Sequence, residues 1–220
     1  MTIRTLAGVA ALAVALGAAA ASAETGAFAG FSIGAQGGWQ DDRLSGTGRV
    51  VVPGTGETPT PGVSIFDVRE NGSGFAGGIF IGYDGEVGSN IVLGGELGVN
   101  WGGGSIDLNP FGPRAEISPK RTVDLTARGG VLVAPESLLY VRGGYSNGRY
   151  TLRIGDAGIS ENRDGWTLGG GFEQAIGNNV SARIEYRHSD YGRDESVDGN
   201  ARFEGKLSRN QVMGGIAYRW

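Results

Sequence analysis

The chain has 220 residues, a formal net charge of −4, 43 glycines, a single histidine and no cysteine. The missing cysteines exclude a disulfide framework, thiolate metal sites and cysteine nucleophiles, and a mildly acidic chain without a concentrated basic run is a poor fit to nucleic acid. The glycines follow no strict third-residue period, which excludes collagen; they sit inside alternating segments, as in Gly169-Gly170-Gly171 and Gly214-Gly215, where glycine marks crowding or close backbone approach.

In chain order, residues 1–5 carry one positive charge at Arg4, residues 6–20 are uncharged and rich in Ala, Leu and Val, and Ala21-Ser22-Ala23 fits a small-x-small cleavage pattern. This reads as a secretory signal peptide cut between Ala23 and Glu24, with an apolar stretch too short for a comfortable membrane span. The expected organisation is a cleaved segment, 1–23, and one folded unit, 24–220.

The remainder of the chain is a series of segments of roughly ten residues with period-2 alternation, the weak signature of strands that cross a membrane. The first puts Phe31, Ile33, Ala35, Gly37 and Trp39 on one face; the second Phe75, Gly77, Ile79, Ile81 and Tyr83; the third Ile91, Leu93, Gly95, Leu97, Val99 and Trp101. Val123, Leu125, Ala127, Gly129 and Val131 mark the fourth, and Leu139, Val141, Gly143 and Tyr145 the fifth. Trp166, Leu168, Gly170 and Phe172 mark the sixth, and Val180, Ala182, Ile184 and Tyr186 the seventh. The eighth carries Val212, Gly214, Ile216, Tyr218 and Trp220.

The opposite face holds Glu96, Asp124, Arg128, Arg142, Glu173, Arg183, Glu185, Arg187 and Arg219 among small polar residues. Alternation alone does not say which face is the interior. Three features choose. Connections 85–90, 134–137 and 175–179 are short while those between them are long, as a membrane barrel requires and a soluble sandwich does not. Large aromatics collect at segment ends, with Trp39, Trp101, Tyr145, Trp166 and Tyr186 toward the long connections and Tyr83, Tyr218 and Trp220 toward the short ones; these form two girdles of the kind found at membrane interfaces. The nine charges nearly cancel, as a polar core sealed by mutual ion pairs demands. The expected fold is all-β, an eight-stranded antiparallel transmembrane up-and-down β-barrel whose apolar residues face lipid and whose charges fill the lumen.

The segments GWTLGGGFEQAI, SARIEYRHSDYG and the final QVMGGIAYRW also resemble the small porin-like outer-membrane immunogenic proteins of alphaproteobacteria, a family similar to the OmpA transmembrane barrel. The likeness is densest over 165–192 and the final strand. It implies residence in the bacterial outer membrane, contact with outer-membrane lipid and lipopolysaccharide, and insertion by the barrel-assembly machinery, which reads a terminal strand ending in an aromatic. Trp220 stands where phenylalanine is usual. No nucleic acid, cofactor or metal is expected, no catalytic residue is assigned, and a monomer is favoured.

Several sharper motifs have blander readings. Gly72-Ser73-Gly74-Phe75-Ala76-Gly77 matches G-x-G-x-x-G, but a dinucleotide site needs a strand before it and a helix after it; it reads as a flexible approach to the second strand. His188 shares the outward parity of Ile184 and Tyr186 while Ser189 points inward, so no histidine-dependent triad is expected. Asp190, Asp194, Glu195 and Asp198 lack the spacing of a calcium loop. The segments 40–73, 102–119, 147–163 and 189–206 are expected as external loops, with Val50-Val51-Val52 and Val63-Ser64-Ile65-Phe66 extending strands beyond the membrane and Pro53, Pro59 and Pro61 keeping the middle of the first irregular. A symmetric turn at 175–179 places Glu173 near Ser181, within diagonal reach of Arg183. Two roles remain open: a structural envelope protein whose plugged barrel displays surface loops, and a small pore or ligand-binding channel for small polar solutes. An eight-stranded interior is just wide enough for side chains to fill, which favours the first.

Overall fold

The computed structural model describes residues 26–50, 63–104, 106–108, 115–154, 157–198 and 201–220; the expected signal peptide, Val51, Val52, Pro53, Pro59 and Pro61 lie outside them. Nine strands and no helix are formed among the described residues: β1 (Gly30–Val50), β2 (Val63–Val87), β3 (Ile91–Gly102), β4 (Ile106–Leu108), β5 (Ala115–Ala134), β6 (Ser137–Ile154), β7 (Ala157–Ala175), β8 (Val180–Asp198) and β9 (Ala201–Arg219). Each neighbour pair is antiparallel, β1 pairs with both β2 and β9, and β3 pairs with both β2 and β5, so the ring is closed. The three-residue β4 resumes the β3 side of the ladder on β5, with Ile106 opposite Ile117. Counting β3 and β4 as one wall element, this is an eight-stranded up-and-down barrel. Within the belt, where β2 pairs with β3, β3 with β5 and β7 with β8, closure leaves no unpaired edge, the condition for placing backbone in hydrocarbon.

Burial is inverted relative to a water-soluble protein. Along β3, Leu97 is 42% exposed while its neighbour Glu96 is 5% exposed. The same holds around the ring: Phe31, Ile33, Ile79, Leu139, Leu168, Ile184 and Ile216 are exposed, and Gln36, Asp124, Arg142, Glu185 and Gln211 are buried. An apolar belt around a charged interior is stable only where the outer solvent is lipid. The inward glycines make the packing possible. A Cβ at Gly34 would run into the Phe80 ring, and one at Gly171 would lie 2.8 Å from the Tyr140 hydroxyl, whereas one at outward Gly214 would meet nothing closer than 3.8 Å.

The short connections are as expected, although β2 runs on to Val87 and leaves only 88–90 as the turn. The long ones are not loops for most of their length. The β1–β2 ladder continues from Trp39 opposite Phe75 to Val50 opposite Val63, roughly 35 Å of strand at the usual rise per residue. The segments 147–163 and 189–206 are likewise largely paired, out to Ile154 opposite Ala157 and Asp198 opposite Ala201. Beyond the lipid the outer face of a strand turns polar, as in Asp41, Arg43, Ser45 and Thr47, so the apolar row that marks a lipid-facing strand stops while hydrogen-bond pairing goes on. Residues 72–77 belong to this ladder: they pair with β1 between Asp42 and Gly37 and are neither a flexible approach nor a phosphate loop.

Candidate functional site

The interior is organised in three layers of charge along the barrel axis. Strand parity alone aims the side chains inward, and the narrow bore brings opposite walls within reach of each other.

Nearest the short turns, Arg128 on β5 grips Asp84 on β2 with two bonds, Nε to Oδ1 and Nη2 to Oδ2, both 2.7 Å, and gives Nη1 to Glu173 Oε2 on β7 at 2.8 Å. Arg219 on β9 donates to the same two acids, to Asp84 Oδ2 at 2.8 Å and Glu173 Oε1 at 3.2 Å. It also donates to the Phe28 carbonyl at 2.5 Å. Ser181 Oγ donates to Glu173 Oε1 at 2.6 Å. Two carboxylates and two guanidiniums therefore alternate in a closed cycle drawn from four strands.

In the middle layer, Glu96 on β3 accepts from Arg142 on β6 at 2.7 Å and from both terminal nitrogens of Arg183 on β8, at 2.5 and 3.1 Å. Glu185 accepts from the Tyr140 hydroxyl at 2.6 Å, from Arg142 at 3.3 Å and from Arg187 Nε. The side-chain oxygen of Gln36 takes one bond each from Arg183 and Arg187, at 2.9 and 2.6 Å. Its amide donates to Asn100 at 2.6 Å, Asn100 donates to Asp124 at 3.0 Å, and Ser146 donates to the other oxygen of Asp124 at 2.7 Å. The Arg183 guanidinium lies 3.6 Å from the centroid of the Phe80 ring, a desolvated cation–π contact.

Toward the long hairpins, Arg209 on β9 donates to Asp42 on β1 at 2.7 Å, to Thr122 Oγ1 at 2.6 Å and to the Tyr150 hydroxyl at 3.1 Å. Gln40 donates to Asp42 at 2.6 Å and accepts from Gln211 at 2.9 Å. Apolar clusters close both ends: Phe28, Val92, Leu138, Tyr140 and Ala175 at the short-turn end, and Tyr150, Tyr191 and Leu207 at the long-hairpin end. Among the described residues, Arg142 Nε and Arg219 Nε are the buried side-chain polar atoms without a partner.

All nine lumen charges expected from the sequence, Glu96, Asp124, Arg128, Arg142, Glu173, Arg183, Glu185, Arg187 and Arg219, are buried inside the barrel. Three more lie beside them that the sequence reading missed: Asp42, Asp84 and Arg209. With them the described interior holds six carboxylates and six guanidiniums. Parity was the available signal, since Asp84 continues the inward row of Phe80 and Gly82, and Asp42 and Arg209 continue the rows of Gln40 and Gln211. The expected neighbourhood of Glu173 and Arg183 needs correction. The two are directly opposite in the β7–β8 register, yet Glu173 bonds Arg128 and Arg219, while Arg183 bonds Glu96 and Gln36. Symmetric-turn reasoning considers only the adjacent strand, and in so narrow a barrel long side chains reach across the bore.

The eight girdle residues lie on the outer surface. Trp39, Trp101, Tyr145, Trp166, Tyr186, Tyr218 and Trp220 are exposed and Tyr83 is half-buried. Phe31 joins the short-turn ring, edge-on to Tyr83 at 4.7 Å and stacked on Trp220 at 6.4 Å. His188 is outside too, with its ring 5.7 Å from that of Trp166 and Nδ1 2.9 Å from Asn210. Ser189 is inside, 3.0 Å from Thr167. Asp190 pairs with Lys206 at 2.9 Å; the side chains of Asp194, Glu195 and Asp198 lie outside the described residues.

Comparison with known proteins points the same way. The family model described as outer membrane protein beta-barrel domain matches residues 9–219. The 31 kDa outer-membrane immunogenic protein of Brucella melitensis is 30% identical over 160 residues, covering 67% of each chain. The 22 kDa outer membrane protein of Rhizobium leguminosarum bv. viciae is 26% identical over 169 residues, covering 72% of this chain and 75% of its own. Among solved structures, Neisserial surface protein A superposes with a TM-score of 0.50 at 14% identity, over 87% of this chain and 98% of that one, a likeness of fold.

Proposed function

Because this chain belongs to the outer membrane protein beta-barrel domain family, and so is an integral β-barrel of the bacterial outer membrane, we propose that its work is structural: a barrel plugged by its own side chains that holds its long hairpins clear of the membrane for display at the cell surface. In this reading the long-hairpin end faces outward and both ends of the barrel sequence are periplasmic. The single observation that carries it is the interior charge pattern. Twelve buried ionic side chains cancel in sign and bond across the bore in three layers, with apolar clusters beyond them at each end. Opening such a lumen to ions would strand charges, at a cost of about 3–5 kcal/mol for each broken buried pair.

The role is non-catalytic, a reading supported by the placement of His188 and Ser189 on opposite faces of the wall. Lipid and lipopolysaccharide are its surroundings, and β9 with Trp220 is the element offered to the barrel-assembly machinery. Single-channel recording of the purified full chain in a planar bilayer tests the plug. The expected result is no steady opening. A reproducible open level would overturn it in favour of a pore for small polar solutes.

A further inference from the structure

The outer face just beyond the aromatic girdle is not uniform in charge. The exposed cations there are mostly answered by neighbouring carboxylates: Arg43 by Asp41 at 3.0 Å, Arg69 by Asp67 at 3.7 Å and Lys206 by Asp190 at 2.9 Å. On β5 and β6 the pattern breaks. Arg121 stands directly opposite Arg149 in the antiparallel register, and Lys120 occupies the bulge beside Arg121. All three are exposed, and among the described residues none has a hydrogen-bond or ion-pair partner. The nearby Asp164 accepts at Oδ1 from the Tyr145 hydroxyl and from Asn147 at 2.6 Å, and among the described residues it forms no ion pair with either arginine.

Like charges directly opposite on neighbouring strands destabilise a sheet, so such a pair invites an anion between them. Its place says which anion. Arg121 is also opposite Trp101 on β3, and Arg149 lies four pairs beyond Tyr145 in the β5–β6 ladder, Tyr145 being itself opposite Trp166. Those three rings mark the edge of the apolar belt, and a long basic side chain at or just beyond that edge reaches the level of lipid headgroups. Guanidinium is the group best shaped for a phosphate oxygen pair. We infer that Lys120, Arg121 and Arg149 form a docking site for the phosphate of a phosphorylated glycolipid in the outer leaflet, with Trp101 and Tyr145 against its acyl region. The inference rests on the orientation proposed above, which places this rim in the outer leaflet.

The test uses the full chain folded in detergent micelles, with the heat-induced mobility shift on a denaturing gel as readout. Titration with a bis-phosphorylated glycolipid is expected to raise the transition midpoint. Arg121→Gln with Arg149→Gln should raise the half-saturating lipid concentration roughly thirtyfold, and Lys120→Gln with Arg149→Gln should act similarly. Arg43→Gln, a cation already paired, should leave the titration unchanged. The proposal is overturned if both double variants titrate like the unmodified barrel, if the dephosphorylated glycolipid stabilises equally, or if inorganic phosphate alone gives the same shift. Since micelles have no sidedness, this result is independent of the orientation, which cysteine labelling in cells tests separately.

Discussion

Asp84 and Glu173 face each other from β2 and β7 and are joined only through the same two guanidiniums: Arg128 bonds both, at 2.7 and 2.8 Å, and Arg219 bonds both, at 2.8 and 3.2 Å. Each carboxylate therefore keeps one arginine if the other is lost, and each arginine likewise keeps one carboxylate.

Glu173→Gln is expected to lower the stability of the folded barrel by about 3–5 kcal/mol, because it takes one carboxylate out of the cycle and leaves the buried Arg128 and Arg219 to share Asp84 alone. A double-mutant cycle with Arg128→Gln should show strong coupling, and one with Arg183→Gln, whose arginine bonds Glu96 and Gln36 instead, much weaker coupling. The heat-modifiability midpoint measures every variant of the two cycles. Coupling to Arg183 in place of Arg128 would contradict the bonding described.

Much of the barrel was legible in advance because lipid imposes period-2 alternation on the residues that cross it. Asp84 shows where legibility stopped. It continues the inward row of Phe80 and Gly82, yet an acidic residue in GYDGEVGSN looks like a turn, since nothing local says that the ladder continues to Val87. Arg209 was hidden for the complementary reason. Its neighbours Ser208 and Asn210 are polar on the outer face because they stand beyond the lipid, so no apolar partner announced the strand. Pairing across the bore could not be read at all: register fixes wall neighbours, and the Glu173–Arg128 bond spans from β7 to β5.

Glycine substitutions should separate the two faces. Gly171→Ala places a methyl 2.5 Å from the Ile184 carbonyl oxygen and 2.8 Å from the Tyr140 hydroxyl, disturbing the Tyr140–Glu185 bond. The expected loss is about 1–3 kcal/mol. Gly214→Ala meets ordinary contact distances outside and should be neutral or stabilising by up to about 1 kcal/mol. Urea unfolding from lipid vesicles, followed by tryptophan fluorescence, reads both.

On the outer wall, Leu97→Arg puts a charge against hydrocarbon, at a cost of about 2–4 kcal/mol near the midplane. Leu97→Ala should be far milder. Equal folding yields of the arginine variant and the unmodified chain in lipid would show that this face does not meet lipid.

Single cysteines at Asn71, exposed on the long β1–β2 hairpin, and at Asn178, exposed in the short turn after β7, should differ in intact cells. An impermeant thiol reagent is expected to label the first alone. Labelling of Asn178→Cys instead would reverse the proposed orientation.

The cycle around Asp84 and Glu173 has a consequence for timing. Its last member, Arg219, sits on β9, the strand that closes the ring against β1. Until β9 pairs with β1, Arg219 is held away from Asp84 on the far side of the seam, and the cycle stays open. The same strand brings Arg209 to Asp42, so the layer nearest the long hairpins is unfinished for the same interval. A partly assembled barrel is thus electrically incomplete at both ends, and the final zipping of β9 onto β1 neutralises both in one event. Closure of the wall and settlement of the interior charge are the same step, which gives assembly a sharp end point and makes a sheet left open at this seam a poor resting place.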